Sequence, residues 1–174
     1  MNIAVAFDVN GTLSDSFHAS INTYNAVRKQ LRYPPIAEQE WRENYQTHDF
    51  KKLHRDCGIS EADVDQVTKL YGKLYQQEDL VPEATRALEI ASSLCGQNHV
   101  WILSNAPESD LTRLFQKAPH NLLARVRRPK DRRKDTELIN IQTESKRRVI
   151  YFGDLVADGE MCVVARQLGA DVVF

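Results

Sequence analysis

Short apolar runs recur along the chain, and each is preceded or followed by a segment with helical spacing. The first, residues 2–7, is mostly apolar at successive positions, which is typical of a strand buried on both faces of a parallel sheet. Similar runs at residues 99–103, 122–126, 149–152 and 171–174 predict four further strands. Strands that alternate with helices predict an α/β fold in which helices flank a doubly wound parallel sheet.

The spacing of apolar residues differs between Ser16 and Leu80, where helical spacing dominates and no run resembles a buried strand. We therefore predict a core domain of residues 1–15 and 81–174, with a small all-helical cap, residues 16–80, inserted after the first strand. The aromatic residues of the cap are expected to form its own hydrophobic core. They are Tyr24, Tyr33, Trp41, Tyr45, Phe50, Tyr71 and Tyr75.

Composition narrows the class of protein. The chain has 174 residues, of which 42% are hydrophobic and 27% charged, a balance that suits a soluble globular domain with a small appendage. Cys57, Cys95 and Cys162 are odd in number and form no C-x-x-C pair, so we expect neither a disulfide framework nor a zinc site. No signal peptide is recognisable and no run approaches the roughly 20 apolar residues of a membrane span. These features predict a cytoplasmic protein without a membrane partner.

Charge is nearly balanced overall but is uneven along the chain. The formal net charge is -1, yet seven of the ten residues from Arg125 to Lys134 are Arg or Lys. Such a run is either a solvated charged face or a patch that attracts an anionic substrate, a nucleic acid or a protein partner. We favour the solvated face and do not expect a nucleic-acid partner, although the run from Arg125 to Lys134 leaves one open.

Polar side chains follow three of the predicted strands, at the point where each strand ends. Asp8 comes directly after the first strand, Ser104 after the second, and Asp154 and Asp158 after the fourth. Taken singly, each carboxylate could be a turn or helix cap. Because the carboxyl ends of parallel strands meet where α/β sheets bind ligands, we expect these side chains to form one site. Three carboxylates in one site suit a hard cation such as Mg²⁺.

The same residues belong to longer motifs. The chain contains D-x-x-G-T-L-x-D-S at residues 8–16, L-S-N at 103–105, a lysine ahead of the last helix and strand, and G-D-x-x-x-D at 153–158, in that order. With these motifs the chain resembles the haloacid dehalogenase superfamily of phosphatases and phosphotransferases over nearly its whole length. The resemblance implies a Rossmann-like core with an inserted helical cap, as in phosphoglycolate phosphatase and β-phosphoglucomutase.

The resemblance also implies roles for individual residues. Asp8 is implied as the nucleophile that attacks phosphorus and becomes an aspartyl phosphate. Phosphoryl oxygens are implied to be held by Gly11, Thr12, Ser104 and the backbone N–H of Asn105.

A lysine is implied to neutralise the phosphoryl charge, and a Mg²⁺ cofactor to assist. Lys134, 20 positions before Asp154, and Lys130, 24 positions before it, both fit the lysine, and we favour Lys134 slightly. The Mg²⁺ ion is implied to be held by Asp8, the backbone carbonyl of Asn10, and Asp154, with Asp158 as a further ligand or an orienting residue.

Asn10 departs from the phosphatases of this superfamily, which usually carry there the aspartate that protonates the leaving oxygen. An amide cannot do so, and loss of such help costs about 10²–10⁴ in rate. Three interpretations remain open: a phosphatase of modest turnover, helped by a good leaving group or by another acid such as Asp15 or His18; a catalytically degenerate binding or regulatory module; and a substitution introduced to trap a substrate.

A rival enzyme class is also open. Hydrolytic 2-haloacid dehalogenases can share F-D-x-N and L-S-N, and they need no metal. The carboxylates Asp154 and Asp158 argue instead for a cation and for phosphate chemistry. We therefore predict a Mg²⁺-dependent phosphatase that acts on a small phosphorylated metabolite.

Overall fold

The computed structural model describes residues 2–47, 49–76, 78–116, 125–129 and 133–174. The strands in these ranges are β1 (Ile3–Phe7), β2 (Val100–Leu103), β3 (Val126–Arg127), β4 (Arg148–Phe152) and β5 (Val172–Val173). The helices are α1 (Phe17–Gln30), α2 (Glu38–Asn44), α3 (Phe50–Asp56), α4 (Val64–Leu74), α5 (Pro82–Cys95), α6 (Glu108–Phe115), α7 (Lys134–Ser145) and α8 (Val156–Gln167). A short 3₁₀ turn, Gln97–His99, leads into β2.

The strands form one parallel sheet in the order β3-β2-β1-β4-β5. Strand β1 lies at its centre, with Phe7 opposite Ile102 of β2 and Phe152 of β4. Helices connect the strands, so the predicted α/β class with a Rossmann-like parallel sheet is confirmed. The carboxyl ends of β1, β2 and β4 are therefore neighbours, and the residues that follow these strands share one edge of the sheet.

Alternation along β1 explains how the sheet is buried on both sides. Val5 and Phe7 point into a cluster built with α5 and α6, whereas Ala4 and Ala6 point into a second cluster built with α7 and α8. Burial of apolar area in these two layers is the main force that holds the core together. The two alanines present little bulk, which lets the second layer pack closely against the centre of the sheet.

The third strand differs from its prediction. The apolar run at residues 122–126 predicts a strand, but the structure places β3 at Val126–Arg127, and residues 122–124 lie outside the described ranges. Arg127 was not predicted to lie in this strand, because the prediction followed a run of apolar residues and arginine is charged. Its guanidinium lies 4.6 Å from the centre of the Trp101 ring and pairs with Glu144 at 2.7 Å, so the charge has partners at the sheet edge.

Two compact units emerge from the contacts within the chain. The core unit comprises Met1–Asp15, Asp79–Asp154 and Asp158–Phe174, and the helical unit comprises Ser16–Glu78 and Leu155–Ala157. That residues 16–80 act as a cap stays a prediction.

The helical unit has its own hydrophobic core, to which α1, α2, α3 and α4 all contribute. Tyr24, Trp41 and Tyr71 are buried in it, and the Tyr24 and Trp41 rings stack with centroids 4.4 Å apart. The other aromatic residues expected there pack against this cluster: Tyr33, Tyr45, Phe50 and Tyr75. No helix within the described ranges is long and apolar enough to cross a membrane.

Candidate active site

Asp8 is held rigidly at the carboxyl end of the central strand. Its backbone N–H donates to the carbonyl of Phe152 at 2.8 Å, which extends the β1–β4 ladder by one residue. The residue is only 4% exposed, and its Oδ1 accepts the N–H of Val9 at 2.8 Å. Position and rotation of the carboxylate are thus both constrained by backbone groups.

Two glycines make room for carboxylates at this edge. Gly11 has φ +76°, and a Cβ there would lie 2.1 Å from Oδ2 of Asp154. At Gly153 a Cβ would lie 2.7 Å from Oδ2 of Asp158. Any other residue at either position would collide with a carboxylate, and at Gly11 it would also adopt a strained backbone. The loop after β1 is therefore built to let the Asp154 carboxylate approach closely.

Lys134, the first residue of α7, brings a buried ammonium group to Asp8. Its side chain is 1% exposed, and its Nζ lies 2.7 Å from Oδ2 of Asp8 and 2.8 Å from Oδ1 of Asp158. It also donates to the hydroxyl of Tyr151 at 2.9 Å. An ammonium group has three hydrogens, and all three have acceptors here. The structure therefore places Lys134, of the two candidate lysines, beside the carboxylates; Lys130 lies outside the described residues.

Tyr151 belongs to this network and was missed by the sequence analysis. Its hydroxyl accepts from Lys134 and donates to Oδ1 of Asp158 at 2.9 Å. The available signal was its position on β4, where Val149 and Tyr151 alternate into the buried layer. A buried tyrosine hydroxyl needs a hydrogen-bond partner, and the nearby Asp158 could have been considered for it.

The electrostatics of the cluster are dominated by excess negative charge. One oxygen from each of Asp8, Asp154 and Asp158 lies within 4.8 Å of the other two. Burial, followed by the charges of Asp8 and Asp158, raises the pKa of Asp154 to about 7. Burial also raises the pKa of Asp8, while the Lys134 ammonium opposes that shift. One ammonium group does not offset three carboxylates, so the cluster favours an additional cation.

Lys134 remains an ammonium group in this setting. Burial alone lowers the pKa of a lysine, but the charges of Asp8 and Asp158, reinforced by their hydrogen bonds, outweigh burial and raise the pKa of Lys134. Asp158 differs from the other two carboxylates because it is fully buried and its Oδ1 already accepts from both Lys134 and Tyr151. This geometry suits an orienting residue better than a metal ligand.

The remaining predicted residues contribute neutral polar groups. Ser104 is 1% exposed, its backbone N–H donates to the carbonyl of Arg127 at 3.1 Å, and its Oγ accepts the N–H of Ala106 at 3.2 Å. Three buried oxygens at these loops have no hydrogen-bond partner within the described part of the chain. They are Asn10 Oδ1, Thr12 Oγ1 and Asn105 Oδ1. Buried polar atoms are normally satisfied, so these oxygens are available to water or to a polar ligand.

The basic run is largely paired with groups of the core unit itself. Each of its described arginines has an acceptor nearby: Arg125 bonds Asn98, Arg127 bonds Glu144, Arg128 bonds the Ala106 carbonyl and Arg133 bonds Asp135. Exposed pairs of this kind contribute little stability, typically below about 1 kcal/mol. Of these described arginines, only Arg127 and Arg133 pair closely with carboxylates, those of Glu144 and Asp135, and whether the run is a solvated face or an anion-binding patch stays a prediction.

Most of the chain matches the model of one protein family. A model of haloacid dehalogenase-like hydrolases matches residues 4–166. No curated protein sequence matches the chain.

Solved structures share the fold at low sequence identity. A candidate phosphoglycolate phosphatase from Lactobacillus plantarum is 17% identical, with a TM-score of 0.71 over 97% of this chain and 84% of that one. A haloacid dehalogenase-like family hydrolase from Streptococcus pneumoniae is 17% identical, with a TM-score of 0.72 over 98% and 83%. A family hydrolase from Deinococcus radiodurans, solved with bound phosphate and sodium, is 15% identical, with a TM-score of 0.59 over 98% and 90%.

Proposed function

The chain belongs to the haloacid dehalogenase-like hydrolase family, and from that membership and the geometry at Asp8 we propose that it is a metal-assisted phosphatase. Its substrate is a small phosphorylated metabolite, whose phosphoryl group passes first to Asp8 and then to water. The phosphate bound in the Deinococcus radiodurans hydrolase supports this choice of ligand.

One observation carries the proposal. Asp8 is a buried carboxylate with an ammonium group 2.7 Å away, and two further carboxylates lie within 4.8 Å of it. A carboxylate alone could be structural, and an ion pair alone could be a stabilising link. An excess of two carboxylates, beside loops that bury unpartnered oxygens, instead suits a cation and a ligand that bridges to it.

The residues present fit Mg²⁺. Asp8 and Asp154 would supply carboxylate oxygens and Asn10 its backbone carbonyl oxygen, and water and substrate would supply the remaining ligands. The absence of a Cβ at Gly11 and the unpartnered Asn10 Oδ1 agree with a close approach of charged groups at this loop. When bound, Mg²⁺ supplies positive charge that offsets the charge on the phosphoryl oxygens.

Groups of the core unit have separate roles in the proposed reaction. Asp8 attacks phosphorus through a carboxylate oxygen, which makes the reaction a covalent, two-step displacement. Lys134 keeps that carboxylate ionised and aimed, because all its hydrogens are directed at Asp8, Asp158 and Tyr151. The hydroxyl of Ser104 and the backbone N–H of Asn105 donate to phosphoryl oxygens, which stabilises charge that develops there.

Hydrolysis of p-nitrophenyl phosphate tests the proposal. We expect turnover that requires Mg²⁺, stops with EDTA, and falls at least about 10³-fold in Asp8→Asn, since the nucleophile is lost while the shape is kept. Asp171→Asn is the matched control, because Asp171 is an exposed aspartate paired with Arg148 at the start of β5. Metal-independent turnover, or turnover that survives Asp8→Asn, would contradict the proposal.

A second candidate is a 2-haloacid dehalogenase, which the amide at Asn10 favours. Release of halide from 2-chloropropionate distinguishes it, since that reaction needs Asp8 but no metal. Halide release that is unaffected by EDTA, without phosphatase activity, would replace the first candidate with the second. A binding module would be favoured if neither assay shows activity and if the melting temperature does not rise on adding Mg²⁺ and a metal fluoride.

A further inference from the structure

Two of the ionisable side chains next to Asp8, Lys134 and Asp158, have partners within the protein, and the third, Asp154, is assigned to the proposed cation site. Lys134 directs its three hydrogens at Asp8, Asp158 and Tyr151. Asp158 is fully buried, and its Oδ1 accepts from both Lys134 and Tyr151. Asp154 packs against the Gly11 backbone and belongs to the proposed cation site. Lys134 and Asp158 therefore have their hydrogen-bonding atoms engaged within the protein, and Asp154 has no proton to give while it holds the cation.

The next acids outward are also paired. Asp135 accepts from Arg133 at 2.6 Å and is 3% exposed, and Glu108 faces Arg128 at 3.8 Å. Asn10, in the loop that follows Asp8, carries an amide, which donates a hydrogen bond but does not release its proton. Asp15, at the end of the loop after β1, is exposed, and no contact within the described residues ties it to Asp8 or Asn10. Every other acid named here is paired or is assigned to the proposed cation site.

A missing proton donor matters in proportion to the basicity of the leaving group. An alkyl phosphate releases an alkoxide, a base about as strong as hydroxide. A phenolate corresponds to a pKa of about 10 and a carboxylate to about 4. A carboxylate leaves readily as an anion, whereas an alkoxide needs help worth about 10²–10⁴ in rate.

We infer that this site acts on acyl phosphates, the mixed anhydrides of a carboxylic acid and phosphoric acid, in preference to alkyl phosphates. The inference rests on the proposed phosphatase function and narrows its substrate class. It follows from the set of paired acids around Asp8 and from the amide at Asn10.

The first step balances without a proton donor. An oxygen of Asp8 forms a bond to phosphorus, and the bond between phosphorus and the leaving oxygen breaks. The electron pair of that bond leaves with the carboxylate of the substrate. Asp8 becomes an aspartyl phosphate, itself an acyl phosphate, so the bond broken and the bond formed are of the same kind.

The second step is then slower than the first. Water attacks phosphorus, the bond to Asp8 breaks, and Asp8 regains its carboxylate as dihydrogen phosphate leaves with both protons of the water. Because Asn10 cannot accept a proton from that water, the aspartyl phosphate accumulates. A burst of product release, followed by a slower steady rate, is expected with acetyl phosphate.

The test compares three substrates whose leaving groups differ in basicity: acetyl phosphate, phenyl phosphate and ethyl phosphate. The quantity measured is kcat/KM, which reports the first step even when the second limits turnover. We expect Asn10→Asp to raise the ratio of kcat/KM for ethyl phosphate to kcat/KM for acetyl phosphate by roughly 10²–10⁴-fold. Phenyl phosphate should fall between them.

Asn10→Ala is the matched control, because it removes the amide without adding an acid. Its kcat/KM is expected to change by one common factor for all three substrates. If Asn10→Asp also changes all three by one factor, or if the wild-type protein hydrolyses ethyl phosphate as efficiently as acetyl phosphate, the inference is wrong while the phosphatase function stands. If the wild-type protein hydrolyses ethyl phosphate as efficiently as acetyl phosphate, another group supplies the proton. Substitutions of Asp15 and His18 would then be made first to identify it.

Failure of the proposed function gives a different result. If neither the wild-type protein nor Asn10→Asp releases phosphate from any of the three substrates, and Asp8 acquires no phosphate from acetyl phosphate, both the function and the inference are overturned. Far-ultraviolet circular dichroism and a melting curve for each variant establish that it is folded. The comparison among substrates within the wild-type protein needs no variant at all.

Discussion

Removal of the Tyr151 hydroxyl should weaken the core unit and the reaction together. The hydroxyl bonds the Lys134 ammonium and the Asp158 carboxylate, both at 2.9 Å and both buried. Hydrogen bonds to charged groups contribute about 1.5–3 kcal/mol each, which sets an upper limit of about 6 kcal/mol for the pair. Lys134 and Asp158 keep their direct contact, and phenylalanine has no hydroxyl to desolvate. We therefore expect Tyr151→Phe to lower the free energy of unfolding by about 3 kcal/mol.

Kinetics separate a positioning role from a purely structural one. Without the hydroxyl, one hydrogen of Lys134 loses its acceptor, and the ammonium group is less firmly aimed at Asp8. We expect kcat for p-nitrophenyl phosphate to fall about tenfold with KM changed less than twofold, since orientation of the nucleophile affects the transition state more than binding. Urea unfolding, followed by circular dichroism, measures the stability under the same conditions.

Tyr33→Phe provides the control. It removes a tyrosine hydroxyl from the helical unit, where that group donates to Asp63 at 2.6 Å and accepts from the Ser60 N–H at 3.1 Å. Its kcat should equal that of the wild-type protein. Wild-type stability and wild-type kcat in Tyr151→Phe would refute the reasoning, because the two buried hydrogen bonds would then contribute nothing.

Three further variants probe separate features. Gly11→Ala places a Cβ 2.1 Å from Asp154 Oδ2 at a φ of +76°, so it should destabilise the core by about 1–3 kcal/mol and remove Mg²⁺-dependent turnover, as measured by urea unfolding and by phosphate release. Asp154→Asn should abolish the rise in melting temperature on adding Mg²⁺, measured by differential scanning fluorimetry, and an undiminished rise would place the cation elsewhere. His54 is fully buried, and burial lowers its pKa to about 4; because the unfolded chain then binds more protons, stability should fall by up to about 3 kcal/mol between pH 6.5 and pH 4. His54→Phe should remove that loss, and an unchanged pH profile of unfolding would count against a buried neutral histidine.

Strands that are buried on both faces were predictable from the sequence, because their residues are apolar at successive positions. In β1, every position from Ala4 to Phe7 is buried, so the apolar run in the sequence corresponds directly to the strand. The edge strand β3 was harder, because Arg127 satisfies its charge with Glu144 and the Trp101 ring, and both lie far away in the sequence. Tertiary partners of this kind override local propensity.

The candidate site also combines residues that the sequence predicts from their local position with contacts that depend on tertiary packing. Asp8, Asp154 and Asp158 were identified because each follows a strand, and parallel strands end at the same edge. The link from Tyr151 to Lys134 depends on how α7 lies over β4, which no local pattern specifies. For Asp158, the sequence left a metal ligand and an orienting residue open, and its hydrogen bonds to Lys134 and Tyr151 favour the orienting role.

The charge in this cluster links the stability of the core to its chemistry. Asp8 and Asp158 share a single ammonium partner, and Asp154 has none at comparable distance within the described chain. Its pKa of about 7 means that this exposed but partly desolvated carboxylate is partly protonated at neutral pH, which is the response of an acid that lies beside other carboxylates and lacks a counter-charge. A cation bound at Asp8 and Asp154 would remove that repulsion and, under the proposed function, would attract the phosphoryl group from the same position. One divalent ion at this edge of the sheet would then serve both the stability of the core unit and the proposed reaction.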